Sequence, residues 1–301
     1  MHPSVLALGL ASWLALGSWT TTPNLDQARA EIAATALDGR IYVAGGFDPS
    51  GADLSSVEML DPASGAWQAR APLPHGLNHL GVAALDGIVY VAGGNVGGTP
   101  TNGLFAYDPT LDAWARKADL PLRRSAHALV VAGGHLIVVG GVGDDPGVTL
   151  VYDPLGDVWE RHAPMPTLRE HLSAAVVDER VYAIGGRWGD QGNLGTVEVY
   201  DPLAGTWATR SPMPTRRGGL TASALDGRIH VLGGEAFDPN RTFPEHEVYD
   251  PVLDAWSAVE PLPTSRHGLG SAVVDGTLYV IGGGTSAGLS ASSTVEAYRD
   301  E

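Results

Sequence analysis

Short apolar runs separated by turn-forming residues fill this chain from end to end, and no stretch carries the spacing of a long amphipathic helix. A typical run alternates, as in "GLGSAVV" over residues 268–274, meets an Asp-Gly step, and returns as a second apolar run, "TLYVIGG". Asp-Gly favours left-handed backbone at both central positions and so predicts a tight hairpin. It stands at Asp38-Gly39, Asp86-Gly87, Asp226-Gly227 and Asp275-Gly276, with Gly133-Gly134 and Asp178-Glu179 as variants. A third run ends in Asp-Pro at Asp61, Asp108, Asp153, Asp201 and Asp250, where proline stops the hydrogen-bond ladder. A fourth carries Trp67, Trp114, Trp159, Trp207 and Trp256. The pattern predicts antiparallel units of four strands.

These units repeat. Each second run closes on a glycine pair, at 45–46, 93–94, 140–141, 185–186, 233–234 and 282–283, with intervals of 48, 47, 45, 48 and 49 residues. A period of this length marks an array of supersecondary units. The sixth copy reaches "STVEAYRDE" without its tryptophan, whereas "GSWTTTPNLDQAR" near the N-terminus is the tail of a unit without its beginning. Pairing of the Trp19 segment with the strand around Val295–Tyr298 would join first and last repeats into a closed ring.

A double glycine, a spaced tyrosine and a spaced tryptophan in units of about 50 residues resemble the kelch repeat. The resemblance runs from Trp19 to the C-terminus. It implies an all-β fold: a six-bladed kelch β-propeller with four-stranded antiparallel blades, closed by an N-terminal outermost strand over residues 18–301. Leu60 departs from the tyrosine position of the first unit, and His230 takes the second-strand slot held by Tyr42, Tyr90, Tyr182 and Tyr279.

Composition narrows the partners. Thirty-four acidic against 18 basic residues give a net charge of −16, a field that repels phosphate backbones and weighs against nucleic acid and anionic membranes. With no cysteine, thiol catalysis, thiolate metal sites and disulfides are excluded. The copper-radical oxidases built on kelch propellers require a cysteine crosslinked to tyrosine, so that activity is excluded too. Lys117 is the single lysine, which removes Schiff-base chemistry in the channel. Residues 1–17 are mostly apolar and end in Ala15-Leu16-Gly17, a small-residue spacing that predicts a signal peptide and a secreted or periplasmic protein, with a cytoplasmic protein carrying an N-terminal extension as the alternative. The stretch is too short for a typical spanning helix.

Function has to be read from the site. Counting back from each hairpin turn aligns the blades. Nine residues before the turn stand Arg29, Leu77, Arg124, Arg169, Arg217 and Arg266, a repeated residue expected to serve a repeated structural contact. Eight before it lie Ala30, Asn78, Ser125, Glu170, Gly218 and His267; seven before it, Glu31, His79, Ala126, His171, Gly219 and Gly268. Symmetry breaks in these two columns, which predicts a pocket with Glu31, His79 and His171 on one side and room beside the small residues of blades five and six. One position on, His127 stands in a column of Ile32, Leu80, Leu172, Leu220 and Leu269 and is expected in the core.

Peptide-binding kelch propellers use these columns together with the loops after the glycine pair. By position, the resemblance implies ligand-binding roles for Asn78, Ser125, Glu170 and His267 and for the loop residues Asp48, Asn95, Arg187, Trp188 and Glu235. Glu245 and His246, in the long insertion "EAFDPNRTFPEH", are expected in a lid over the entrance. Three functions stay open. The first is a binding propeller for a small molecule, glycan or peptide at the channel mouth, with no cofactor. The second is a secreted mutarotase or epimerase of a sialic acid-like sugar, with Glu31 and His79 or His171 as catalytic acid and base. The third is a metal-dependent lyase or oxygenase with the same residues holding a divalent ion.

Overall fold

The computed structural model describes residues 17–300, so the leader expected over residues 1–17 lies, apart from Gly17, outside the described residues. Six antiparallel sheets surround a central channel. Blade 1 consists of Ala33–Leu37, Arg40–Ala44, Val57–Asp61 and Ala66–Arg70 in that spatial order. Blades 2 to 5 repeat the order, and the innermost strand of every blade contacts its counterpart on each neighbour. Among the described residues one three-residue 3-10 turn, Gly189–Gln191, is the sole helix, and no helix is long and apolar enough to cross a membrane.

Blade 6 closes the ring as the complementary chain ends predict. Its strands Gly270–Val274, Thr277–Ile281 and Val295–Arg299 are completed by Ser18–Thr21, with Trp19 opposite Tyr298. The tryptophans of the outermost strands work between blades. Trp114 Nε1 donates to Ala71 O at 2.8 Å and Trp159 Nε1 to Ala118 O at 2.8 Å, each acceptor lying on the chain that leaves the preceding blade. Trp19 makes the same bond, to Glu260 O at 3.1 Å, so the closing strand is held by its indole as well as its ladder.

The glycine pairs let backbones cross at short range. Gly45 (φ 61°) and Gly46 (φ 91°) leave the second strand in left-handed geometry, and a Cβ on Gly45 would stand 2.5 Å from Leu77 O of the next blade. That crossing places the chain after the pair at the channel rim, beside the columns aligned above.

The arginine column is structural, as its repetition implies. Arg29, Arg169, Arg217 and Arg266 are fully buried and pair with Glu58, Glu198, Glu247 and Glu296 on the third strand of their own blades. Blade 2 lacks both partners and has Leu77 and Phe105 in one apolar cluster instead. Arg124 has no third-strand carboxylate; it donates to the carbonyls of Asp144 and Asp145, and burial pulls its guanidinium down to about 10.

One expectation needs correction. His246 lies in the third strand of blade 5, buried and hydrogen-bonded to His230 at 2.9 Å, and belongs to no lid. The insertion before it forms a hairpin in which the second strand runs on to Phe237 and pairs with Asn240–Thr242.

Candidate functional site

The column seven residues before each turn has one backbone conformation throughout. Glu31, His79, Ala126 and His171 have φ of 50–52°, and Gly219 and Gly268 have 68° and 58°. Peptide hydrogen bonds link them blade to blade: His79 N to Glu31 O, Ala126 N to His79 O, His171 N to Ala126 O, Gly219 N to His171 O and Gly268 N to Gly219 O, all between 2.8 and 3.0 Å. Ile32 N to Gly268 O at 3.3 Å completes the hoop. It satisfies backbone groups where the blades diverge, and the left-handed turn aims each side chain into the channel mouth. Glycine is the unstrained residue at such a φ; a glutamate and two histidines there are held against a local preference, a pattern that accompanies functional sites.

Their side chains converge. Glu31 Oε2 is 3.4 Å from His79 Nε2 and 3.9 Å from His171 Nε2, and Glu31 Oε1 is 3.3 Å from His267 Nδ1. The two Nε2 atoms of His79 and His171 are 3.0 Å apart. Around this centre, Glu170 contacts His171 Nδ1 and accepts from Arg187 Nε at 2.9 Å, Arg187 Nη1 reaches Glu235 at 2.6 Å, and Glu235 Oε2 lies 3.4 Å from His267 Nδ1. Polar contacts thus run in a circuit around the mouth.

Burial sets the electrostatics. It works against the Glu31 carboxylate, but the neighbouring His79 and the hydrogen bond from His267 outweigh it and hold the group well below the ordinary range. Burial also opposes charge on His267, yet the bond to Glu31 and the charges of Glu31 and Glu235 raise it above the usual histidine value. His171 moves the other way, held well below that value chiefly by desolvation. The centre therefore contains an ionised carboxylate, a protonation-prone imidazole at His267 and a neutral one at His171.

The mouth encloses about 70 Å³ above a collar of Ile32, Leu80, His127, Leu172, Leu220 and Leu269, and a second chamber of about 130 Å³ lies below it. His127 is buried as expected, with neither ring nitrogen hydrogen-bonded and burial bringing its pKa to about 3.

Of the residues singled out in the sequence, Glu31, His79, His171, Asn78, Glu170, His267, Arg187 and Glu235 come together. Others stand apart. Asp48 accepts from Ser50 N, Ser50 Oγ and Ala52 N and so caps its own loop. Asn95 pairs its backbone with Asn78, Ser125 is fully buried with its hydroxyl unpartnered, and Trp188 lies half-buried at the start of the 3-10 turn. The room expected beside the small residues is filled in blade 6, where a Cβ on Gly268 would meet Glu31 Oε1 at 2.5 Å, but remains in blade 5, where one on Gly219 would make only ordinary contact with His267 Cβ at 3.4 Å.

Sequence reading missed Asp53, which accepts from the Asn78 amide and from Gly97 N, and Phe237, whose ring lies 5.1 Å from the Arg187 guanidinium. It also missed the turn at Gly288, whose N–H donates to Glu235 Oε2 at 2.8 Å. Each acts across a blade boundary from a position outside the repeat pattern, so no column could have shown it.

Four-stranded blades in a closed ring of six, a buried arginine column and a polar rim on left-handed residues define a six-bladed propeller with its variable chemistry at one channel mouth. The chain belongs to the kelch-repeat family: the family described as KLHDC2/KLHL20/DRC7 Kelch-repeats domain matches it over residues 12–186 and 121–283. The solved structure of YjhT is similar in fold, with a TM-score of 0.79 at 17% identity, covering 92% of this chain and 96% of that one. No curated protein matches the chain in sequence.

The strained rim gives a direct test. His171→Gly removes a side chain from a φ of 50° and installs the residue that blades 5 and 6 already use. We expect a melting temperature equal to or above that of the parent, because relief of strain of about 1 kcal/mol offsets the lost contacts. A drop of many degrees would make His171 a structural residue.

Proposed function

We propose that this propeller binds a small, neutral, hydroxyl-rich ligand of the sugar type at the channel mouth. The observation that carries the reading is the convergence of Glu31, His79 and His171 on one cavity at the rim, with the buried His267 3.3 Å from Glu31 and Arg187 already committed to two carboxylates.

Charge selects among ligands. Glu31, Glu170 and Glu235 against Arg187 leave the mouth negative, even with His267 protonated. The column arginines point into their blades and are buried behind their own bonds, so none of them is available to a carboxylated sugar or an acidic peptide. A neutral polyol meets both acceptors and donors there, and the half-buried Phe47, beside the His79 ring, and the exposed Phe237, beside Arg187, supply apolar faces near the rim.

A second reading has its own support. An ionised carboxylate 3.4 Å from an imidazole would interconvert sugar anomers if the carboxylate took the proton of the anomeric hydroxyl while the imidazole, in its protonated form, gave one to the ring oxygen. Both are checked with one panel. Ligand-observed NMR against neutral aldoses and ketoses and against sialic acid should show saturation transfer from the neutral set that is lost in Glu31→Gln, and polarimetry on the same sugars reads anomer exchange. Preference for sialic acid, or binding untouched by Glu31→Gln, would refute the assignment.

A further inference from the structure

Two imidazoles whose Nε2 atoms face each other beside a carboxylate pose an electrostatic question that hydrogen bonding alone does not answer. The Asn78 amide donates through Nδ2 to Asp53, which fixes Asn78 Oδ1 as the acceptor facing His79 Nδ1 at 2.5 Å. His79 therefore carries its proton on Nδ1. His171 Nδ1 faces the Glu170 carboxylate, itself anchored by Arg187 Nε, and is likewise the protonated nitrogen. With Nδ1 of each ring turned to its outer partner, Nε2 of His79, Nε2 of His171 and Glu31 Oε2 are the three donor atoms that face one another, 3.0, 3.4 and 3.9 Å apart. That arrangement calls for a cation at its centre.

The spacing indicates which cation. A tetrahedral ion with ligand bonds of about 2.0–2.1 Å has donor-to-donor edges of about 3.3–3.4 Å, and the three edges here scatter about that value. Two histidines and one glutamate leave the fourth position open to the channel. The outer partners, Asn78 with Asp53 and Glu170 with Arg187, are the groups that orient metal-binding imidazoles and fix their tautomers. The alternative grouping of Glu31, Glu235 and His267 is poorer: Glu235 already accepts from Arg187 Nη1 and Gly288 N, and His267 Nδ1 lies between two carboxylates as a donor.

We propose that Glu31, His79 and His171 form a binding site for a divalent, zinc-like metal ion at the channel mouth, oriented by Asn78 and Glu170. The proposal rests on this mouth being the functional site and adds to the sugar-type reading an ion whose open position would take a ligand hydroxyl. It is tested without any sugar, so failure of one claim leaves the other standing.

The test is titration of the untagged, metal-stripped protein with Co(II), followed by visible absorption and then by displacement with Zn(II) in a calorimeter. The expected result is one equivalent of Co(II) with the intense bands of low-coordinate cobalt, displaced stoichiometrically by zinc. Glu31→Gln and His171→Gly should each weaken binding at least a hundredfold; the glycine variant suits the left-handed backbone and keeps the test independent of folding. Asn78→Ala should weaken it about tenfold through the freed tautomer. His267→Gln should keep the cobalt spectrum. Absence of the spectrum in folded wild type, or a spectrum indifferent to His171→Gly but lost with His267→Gln, overturns the site.

Discussion

Glu198→Ala should remove roughly 3–5 kcal/mol of unfolding free energy, because it strands a fully buried guanidinium. Arg169 donates to Glu198 Oε2 at 2.5 Å, to Thr167 O at 3.1 Å and to Ala183 O at 3.0 Å, and Thr167 Oγ1 donates to the second carboxylate oxygen at 2.7 Å. Loss of the carboxylate leaves the charge without its counterion where water cannot reach. Blade 2 shows the apolar solution to the same packing problem, with leucine and phenylalanine in place of arginine and glutamate. The double variant Arg169→Leu, Glu198→Phe is therefore expected to recover most of the loss, coming within about 2 kcal/mol of the parent, since removing both members of a buried pair costs far less than removing one. Urea denaturation of the three proteins decides it. If the double variant is as unstable as the single one, the arginine serves mainly by satisfying the carbonyls of Thr167 and Ala183.

Acidification should weaken the fold through the seam that closes the ring. His230 and His246 face each other at 2.9 Å beneath Trp19 and Tyr298, and His246 Nδ1 bonds Glu260 O at 3.0 Å. Burial lowers His230 to about 4, only partly opposed by Asp300, whose carboxylate is 3.8 Å away and beyond hydrogen-bonding range; Arg228 and Asp226 add smaller, opposing effects. Burial, followed by the neighbouring His230, lowers His246 to about 3, while its bond to Glu260 raises it and the charge of Arg217 lowers it. Both histidines take up protons more readily in the unfolded chain, where they titrate near 6.5. The stability they confer is thus complete above pH 6.5 and lost as pH falls towards 4 and 3. The slope approaches about 1.4 kcal/mol per pH unit for each group, which puts the combined loss between pH 6.5 and 5 on the order of 3 kcal/mol. His230→Tyr with His246→Val, the residues that other blades use at these positions, should flatten the dependence. Urea midpoints at pH 7.5 and 5 for parent and variant are the measurement. Parallel shifts in both proteins would place the acid lability elsewhere, with His127 next in line.

The architecture was legible because every structural device is repeated. Asp-Gly turns, glycine pairs, Asp-Pro steps and tryptophans recur in register, and the two incomplete ends matched each other, so even ring closure followed from counting. Part of the site was legible for the opposite reason: Glu31, His79 and His171 interrupt a column that glycine completes. The shared left-handed backbone could not be read, since one sequence shows residue types and not φ. Nor could the circuit through Asp53, Glu235 and Gly288, whose members meet only when loops of different blades cross the rim. Expecting room beside Gly268 failed because small residues in one blade make space that a neighbour's long side chain fills.

The hydrogen-bonded hoop gives the channel mouth the logic of a combination lock. Six wheels share one axle, and every wheel presents its symbol at the same height and angle because the backbone beneath it is the same. One blade's symbol can change without turning the others. Ala126 and Gly219 are the blank wheels of this lock, and a new specificity could be set on them while the four-stranded blades stay as they are.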